Sequence, residues 1–345
     1  MRKEKDETVL DFPCDLLQLI VSHLPLKDNI RASTVSKTWL QACLSVRVPD
    51  RPPWLIYFSK TEESSSCELY DPSTQKRYYT EFPELSGSRV CHSKEGWLLM
   101  YNPNSFQLFF FKPFTRESIP LPPLWMAYDQ RMAFSEAPTS SNCLLFTVAN
   151  VNVDNHSITV KTCYPNDKEW TTFVFQNQLQ NINFEQIVFS NDVFYCLTNS
   201  GHLSVFDPSS SSWNVLGLPL EHHGRSNGCF MTQHRGEIFL VYMYSHMNPT
   251  VLRLDPTSCE WTERKTLGGL TIYASALSSE TRADQKQPSG IRNCLCLPVF
   301  HGFKRTCIYY KVDEESMVSL KWKKSDPYGN IWIMPPLNPV LDQLL

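Results

Sequence analysis

The sequence predicts a small all-α module followed by an all-β propeller, with six blades favoured and seven as the alternative. Two patterns predict this order. Apolar residues near the start of the chain recur with helical spacing. Beyond a proline-rich hinge, short strand-forming runs alternate with turn residues and repeat roughly every 40–50 residues. We place the helical module at residues 8–48, a linker at 49–53 and the propeller at 54–345.

The composition is that of a globular protein with a large core. The 345 residues are 42% hydrophobic and 19% charged, which suits one small module and one large domain. The net charge is −3, and no block of like charge stands out, so we expect no nucleic-acid partner. No apolar run approaches the length of a membrane span and no secretory leader is recognised, so we expect no membrane and a location in the cytoplasm or nucleus. We expect the 12 cysteines to be reduced there.

The first element is predicted as a helix that Pro13 precedes and Pro25 ends. Its apolar positions follow i, i+3, i+4, i+7 at Leu17, Ile20, Val21 and Leu24. Asp28 is predicted to cap a second short helical segment that runs through Val35. A third apolar face is predicted at Val35, Trp39 and Cys43, with Leu40 and Leu44 beside it.

A module of this size cannot bury all of these side chains. Chains below about 40 residues usually need a metal, a disulfide or a partner to fold stably. No metal-ligand spacing occurs in this part of the sequence. We therefore expect some of its apolar residues to face a partner protein.

The module resembles the F-box, and especially the plant form that ends in V-S-K-x-W. The likeness is carried by Phe12, Pro13, Asp15, Leu16, Leu17, Ile20, Leu24, Pro25, Asp28, Arg31, Val35, Ser36, Lys37 and Trp39. Phe12 departs from the usual Leu but is still large and apolar. The resemblance implies docking onto a Skp-type adaptor, which links such proteins to a cullin. It implies adaptor contacts at Phe12, Pro13, Leu16, Leu17, Ile20, Leu24, Pro25, Val35 and Trp39. The alternative is a helical cap on the β domain, with Trp39 and Leu44 in its core.

The β domain is predicted from a recurring turn. An aromatic-rich run leads into a turn at Pro72, Pro113, Pro165, Pro208 and Pro256. Several units continue into a strand led by tryptophan, as at Trp170, Trp213 and Trp261, which we expect to pack between blades. A degenerate sixth unit is predicted at 306–316, followed by a run at 320–322. The tail Ile331, Trp332 and Ile333 is predicted to close the ring by pairing with the first blade.

The aspartates of the Asp-Pro turns are predicted to be structural, because Asp accepts local backbone hydrogen bonds and Pro presets φ. This domain resembles the C-terminal region of a plant F-box family of poorly characterised function, some members of which are labelled kelch-repeat. True kelch repeats carry a Gly-Gly doublet in each blade. Here Gly268-Gly269 is the single doublet in the sequence.

Motifs for catalysis are missing from the sequence: we find no phosphate-binding glycine loop, nucleophile elbow or zinc template. The two thiols of Cys294 and Cys296 are predicted to pack on one face of a strand. The histidine-rich segment Glu221, His222 and His223, with Cys229, His234 and His246 nearby, fits no metal-ligand spacing. We predict no metal and no cofactor, and treat Glu221, His222 and His223 as a candidate loop for target contact.

The resemblance implies the substrate-recognition subunit of an SCF-type cullin ubiquitin ligase, without catalytic chemistry of its own. Such a subunit would bind the Skp-type adaptor through the F-box and a target protein through the propeller. A non-degradative scaffold or decoy is the first alternative. An enzyme built on the propeller is the second, and it would need a central cluster of acids, histidines or metal ligands.

Overall fold

The structure is a computed structural model. It describes residues 13–24, 26–46, 52–58, 66–72, 76–126, 130–150, 157–179, 182–216, 228–243, 248–283, 292–301, 304–318 and 330–335. These residues form three α-helices followed by 25 strands, with one short 3-10 helix, Pro83–Leu85, among the strands. The α-helices in the described ranges have 7 to 10 residues, fewer than a membrane-spanning helix needs.

Three short helices form the N-terminal module: α1 Cys14–Ser22, α2 Leu26–Ala32 and α3 Lys37–Val46. Pro13 precedes α1 with an extended backbone, φ −50° and ψ 136°, and Asp15 lies in the first turn. There its negative charge favours the positive end of the helix dipole. The predicted first helix is therefore present, although it ends before Leu24.

Two predicted boundaries in this module are wrong. Asp28 does not cap α2, because that helix already begins at Leu26 and Asp28 lies within its first turn. Val35 does not lie on α3, because Ser36 caps that helix: the Trp39 N–H donates to Ser36 Oγ at 3.3 Å and the Leu40 N–H donates to the Ser36 carbonyl at 2.8 Å. Val35 is thus left outside the third helix and exposed.

The 25 strands form six sheets, which confirms the favoured prediction of six blades. Blade 1 contains β1 Trp54–Phe58, β2 Ser66–Asp71, β3 Lys76–Glu81 and the last strand, β25 Asn330–Ile333. Blade 2 contains β4 Arg89–Lys94, β5 Trp97–Asn102, β6 Gln107–Lys112 and β7 Glu117–Leu121. Blade 3 contains β8 Arg131–Phe134, β9 Leu145–Asn150, β10 Ser157–Cys163 and β11 Thr171–Gln176.

The second half of the ring continues the same antiparallel order. Blade 4 contains β12 Phe184–Ser190, β13 Val193–Thr198, β14 Leu203–Asp207 and β15 Ser212–Leu216. Blade 5 contains β16 Gly228–His234, β17 Glu237–Met243, β18 Thr250–Leu254 and β19 Trp261–Glu263. Blade 6 contains β20 Leu270–Tyr273, β21 Glu280–Ala283, β22 Cys294–His301, β23 Lys304–Lys311 and β24 Ser316–Val318. Strands β25, β4, β8, β12, β16 and β21 are innermost, and they follow one another around the central channel.

The ring closes with the C-terminal strand, as predicted. Strand β25 pairs antiparallel with β1, with Trp54 opposite Ile333 and Ile56 opposite Ile331. The strand that completes blade 1 therefore comes from the other end of the β domain. Strand β1 begins at Trp54, where we placed the start of the propeller, while the domain boundary itself stays a prediction because residues 47–51 lie outside the described ranges.

Blade 6 differs from the other five because it holds an additional strand. Strands β20 and β21 form a hairpin, and β20 pairs with β22 in parallel rather than antiparallel fashion. The doublet Gly268-Gly269 leads into β20, and both residues have positive φ, 62° and 88°, a conformation that favours glycine. The predicted sixth unit corresponds to β23 and β24, while residues 320–322 lie outside the described ranges.

The core of the β domain lies in the seams between neighbouring blades. Each of six apolar clusters joins two adjacent blades, and aromatic rings dominate several of them, as where Phe146 stacks on Phe194 at 4.4 Å. The predicted packing role of the tryptophans is confirmed: Trp213 is buried between blades 3 and 4, and Trp170 and Trp261 pack against neighbouring clusters. Among the described residues, the seam between blades 6 and 1 has the fewest buried members, namely Leu55, Tyr273, Cys296 and Trp332.

Candidate functional site

The helical module has a small core of its own. Leu17 and Val21 of α1 pack against Ala42 and Cys43 of α3, and all four are almost completely buried. The side chain of Asn29 donates to the Val21 carbonyl at 3.3 Å, which ties α2 to α1. These contacts are separate from the clusters of the ring.

Several of the large apolar side chains described in this module face outward. Leu16, Leu19 and Ile20 on α1 are 50%, 59% and 46% exposed, and on α3 Leu40 and Leu44 are 38% and 45% exposed. Positions 16, 19 and 20 share one side of a helix. So many exposed apolar side chains on about 30 residues form the kind of surface that marks a protein interface. We call Leu16, Leu19, Ile20, Leu40 and Leu44 the docking residues.

The predicted adaptor contacts fall into four groups. Pro13, Leu16, Ile20 and Val35 are exposed, and Leu24 and Trp39 are half-buried against the module's core. Leu17 is buried at 1% exposure, so the structure assigns it to the core of the module rather than to its surface. Phe12 and Pro25 lie outside the described residues.

Three docking residues were not among the predicted contacts. Leu19 was missed because it lies outside the F-box-like pattern, although its spacing of i+3 from Leu16 was available in the sequence. Leu40 and Leu44 were recognised as neighbours of the third apolar face but were not assigned to an interface. The exposure of Leu44 also argues against the alternative in which this residue is part of the core of a cap.

The turn aspartates are structural, as predicted, at the two turns that the structure details. Asp207 accepts hydrogen bonds from the backbone N–H groups of Ser209 and Ser210, and Asp255 accepts them from Thr257 and Ser258. Hydrogen bonds from the Ser209 and Ser210 hydroxyls are the main cause of the lowered pKa of Asp207, and the backbone hydrogen bonds from Ser258 and Thr257 lower the pKa of Asp255. They stabilise the ionised form, which suits a turn and not a proton donor.

The histidine and cysteine candidates do not form a metal site in the described part of the chain. Glu221, His222, His223 and His246 lie outside the described residues. Cys294 and Cys296 are fully buried in β22, in agreement with their predicted role in packing. Burial raises the pKa of the Cys294 thiol to about 11, which keeps it protonated and unreactive at neutral pH.

The centre of the ring holds a feature that the sequence did not predict. The tip of the β20–β21 hairpin, residues 274–279, lies in the central channel; we call it the channel hairpin tip. Side chains of three inner strands contact its backbone. Gln186 donates to the Ala276 carbonyl at 2.8 Å, Thr232 donates to the Ser279 carbonyl at 3.1 Å, and His92 Nδ1 lies 3.0 Å from the Leu277 carbonyl oxygen.

The closing strand also contacts this hairpin. Trp332 Nε1 donates to the Ala274 carbonyl at 2.9 Å, and its ring meets Tyr273 edge-on at 5.2 Å. Blades 1, 2, 4 and 5 therefore all hold the hairpin of blade 6. Burial among these groups lowers the pKa of His92 to about 3, so the imidazole is neutral at physiological pH.

Comparisons with known proteins identify both parts of the chain. A model of the F-box domain matches residues 9–51, and a model of the KIB1-4 beta-propeller matches residues 69–329. The chain is 70% identical to F-box protein At3g56470 of Arabidopsis thaliana, over 97% of this chain and 91% of that protein. It is 39% identical to the F-box/kelch-repeat protein At1g57790 of the same plant, over 95% of each chain. It is 35% identical to F-box protein KIB3 of A. thaliana over 41% of this chain.

Proposed function

The chain belongs to the family of F-box proteins with a KIB1-4 beta-propeller, and on this basis we propose that it is the substrate-recognition subunit of an SCF-type cullin ubiquitin ligase. The F-box binds a Skp-type adaptor, and the adaptor connects the chain to a cullin. The propeller binds the target protein. We further propose that this takes place in the cytoplasm or the nucleus.

The observation that carries the adaptor assignment is the set of docking residues on α1 and α3. Their outward-facing apolar side chains lack neighbours in the helical core. Fully burying a large apolar side chain contributes roughly 1.5–3 kcal/mol. The five docking residues are 38–59% exposed, so each would contribute about half of that on binding, which offsets part of the cost of association. A Skp-type adaptor is the partner that the F-box match implies.

The proposed mechanism is proximity. The chain holds a target lysine near the ubiquitin-charged enzyme that the cullin brings, which raises the effective concentration of the two reactants. The chain itself contributes no bond chemistry. A closed ring suits this role, because a target bound to a fixed surface is held at a constant distance from the cullin.

The test is co-purification of a Skp-type adaptor with the full chain and with a docking variant. Leu16→Asp combined with Ile20→Asp places two charges on the exposed face of α1. We expect at least a 100-fold loss of adaptor affinity, because each charge would be desolvated at the interface without a partner. The melting temperature should change little, since both positions are exposed.

The matched control is Val174→Asp, which introduces the same charge at an exposed position of the ring, 67% exposed. It should leave adaptor binding unchanged. Adaptor capture that survives the double α1 variant would contradict the docking assignment. A complex with adaptor and cullin that transfers no ubiquitin to any bound protein would favour the non-degradative scaffold.

A further inference from the structure

The central channel opens into a cleft on one side of the channel hairpin tip. It lies where β4 and β8 begin, and its volume is about 600 Å³, including the open mouth. Its lining includes Arg89, Val90, Met126, Gln130, Arg131 and Leu277. Leu277 belongs to the channel hairpin tip, so the hairpin forms part of the wall of this space. We call it the mouth cleft.

Two guanidinium groups share the mouth cleft. Burial raises the pKa of the Cys91 thiol to about 12, and the positive charges of Arg89 and Arg131 partly offset that rise. Among the described residues neither Arg89 nor Arg131 takes part in an ion pair. Glu185 lines the adjoining cavity together with Arg131, so among the described residues that line the two spaces the arginines outnumber the acids.

The segment that supplies Met126 to the cleft also carries an exposed aromatic side chain. Trp125, which directly precedes Met126, is 82% exposed. The neighbouring Leu124 N–H donates to the Phe106 carbonyl at 3.3 Å, which ties this segment to the β5–β6 turn. The Arg89 guanidinium lies 5.4 Å from the centre of the Tyr101 ring, a cation–π contact that restrains it. Arginine, tryptophan and methionine are the residue types enriched where proteins bind one another.

We propose that the mouth cleft binds an anionic side chain on an extended segment of the target protein. Arg89 and Arg131 contact the anion, while Met126 and Leu277 pack against an apolar neighbour on the same segment. The proposal rests on the proposed function in one respect, namely that the occupant is the ligase target. Guanidinium groups bind carboxylates and phosphates alike, so aspartate, glutamate and phosphorylated side chains are the chemical sources to distinguish.

The experiment uses the full chain and four pools of labelled nonapeptides. The central residue is glutamate, phosphoserine, serine or lysine, and all other positions are randomised. We expect the glutamate pool, the phosphoserine pool or both to be retained at least 10-fold more than the serine and lysine pools. The acid that is retained identifies the source. The double variant Arg89→Gln, Arg131→Gln should lose this preference at least 10-fold.

Arg264→Gln is the matched control, because Arg264 is an exposed arginine on the connection after β19. It should keep the preference, and all variants should melt with the parent. If the double variant melts lower than the parent, salt dependence provides the second test. The preference of the parent chain for anionic peptides should weaken steeply as the salt concentration rises, as ion pairing requires. Equal retention of the four pools, including no retention of any, overturns the proposal, as does a preference that survives in the double variant.

This outcome is separable from that of the proposed function. Adaptor capture depends on the docking residues, which do not line the mouth cleft. A chain that captures the adaptor but shows no anion preference contradicts only the proposal for the mouth cleft. A chain that prefers anionic peptides but captures no adaptor defeats only the ligase assignment.

Discussion

The helical module and the ring use the same apolar residue types in opposite ways. In the module, four side chains are fully buried while Leu16, Leu19, Ile20, Leu40 and Leu44 face outward. In the ring, each blade buries apolar residues against the next, so every seam is filled from within the chain. The difference lies in which residues cover these apolar side chains. The ring supplies its own neighbours, whereas the module leaves space for those of a partner.

The largest expected effect comes from opening the ring. A chain that ends at Asn330 lacks Ile331, Trp332 and Ile333, all fully buried. It exposes β1 as an unpaired edge and removes the hydrogen bond from Trp332 to the hairpin of blade 6. Losing three large buried side chains should cost several kcal/mol. We expect the β domain to melt more than 10 °C lower by calorimetry or to aggregate on expression.

Two tryptophan variants refine that comparison. Trp332→Ala should lower the unfolding free energy of the ring by about 3–5 kcal/mol, since this side chain is buried in the seam between blades 6 and 1. Trp125→Ala removes the same side chain from an exposed position and should change stability little. Equal melting temperatures for the two variants would show that β25 does not hold the ring closed.

A smaller and more local effect should follow from truncating one buried side chain in the core of the module. Leu17→Ala removes a buried leucine and should destabilise the helices by about 2–5 kcal/mol, while the ring melts as before. Hydrogen exchange over α1 and α3 should accelerate, and adaptor binding should weaken because the docking residues lose their support. Leu19→Ala, at an exposed position of the same helix, is the control for stability and hydrogen exchange only, because Leu19 is itself a docking residue. A ring that melts lower in Leu17→Ala would contradict the independence of the two regions.

The smallest expected effect concerns pH and belongs to the ring alone. The folded pKa of His92 is lowered from 6.5 to about 3 by burial and by the nearby charge of Lys94. Between these values the unfolded chain binds a proton that the folded chain excludes, so stability falls as pH falls below 6.5. The slope is about 1.4 kcal/mol per pH unit, or roughly 1–2 kcal/mol between pH 7 and 5.5.

The variant His92→Gln should flatten this part of the pH profile, as measured by chemical denaturation. His23→Gln, at an exposed position after α1, serves as the control and should leave the slope unchanged. A slope that is the same in all three proteins would show that protonation of His92 does not limit the stability of the ring.

Much of the fold could be predicted because its signals are local. Alternating apolar strands, the turns at Asp207 and Asp255, and the β-forming tail around Trp332 all stand out in short windows of sequence. The channel hairpin tip could not be predicted. Its contacts come from Gln186 and Thr232 on strands of other blades, and no local pattern records such a distant contact.

The docking residues illustrate a second limit of sequence reasoning. The adjacent residues Leu16 and Leu17 both fit the apolar pattern, yet one is exposed and the other buried. Which of them faces outward depends on where α3 packs, because α3 covers the side of α1 that carries Leu17. A helical period identifies an apolar side, but only the neighbouring helix decides which part of that side is left for a partner.

The pairing of β25 with β1 also has a consequence for the order of events at the ribosome. Trp54 pairs with Ile333, so 333 − 54 = 279 residues must be synthesised before the first blade is complete. At about 5–20 residues per second this takes roughly 14–56 seconds. The F-box emerges first, so the adaptor that we propose for it would find its site while the edge of β1 is still unpaired. Under the proposed function, a chain that stalls late in synthesis would therefore meet its adaptor before the ring is closed.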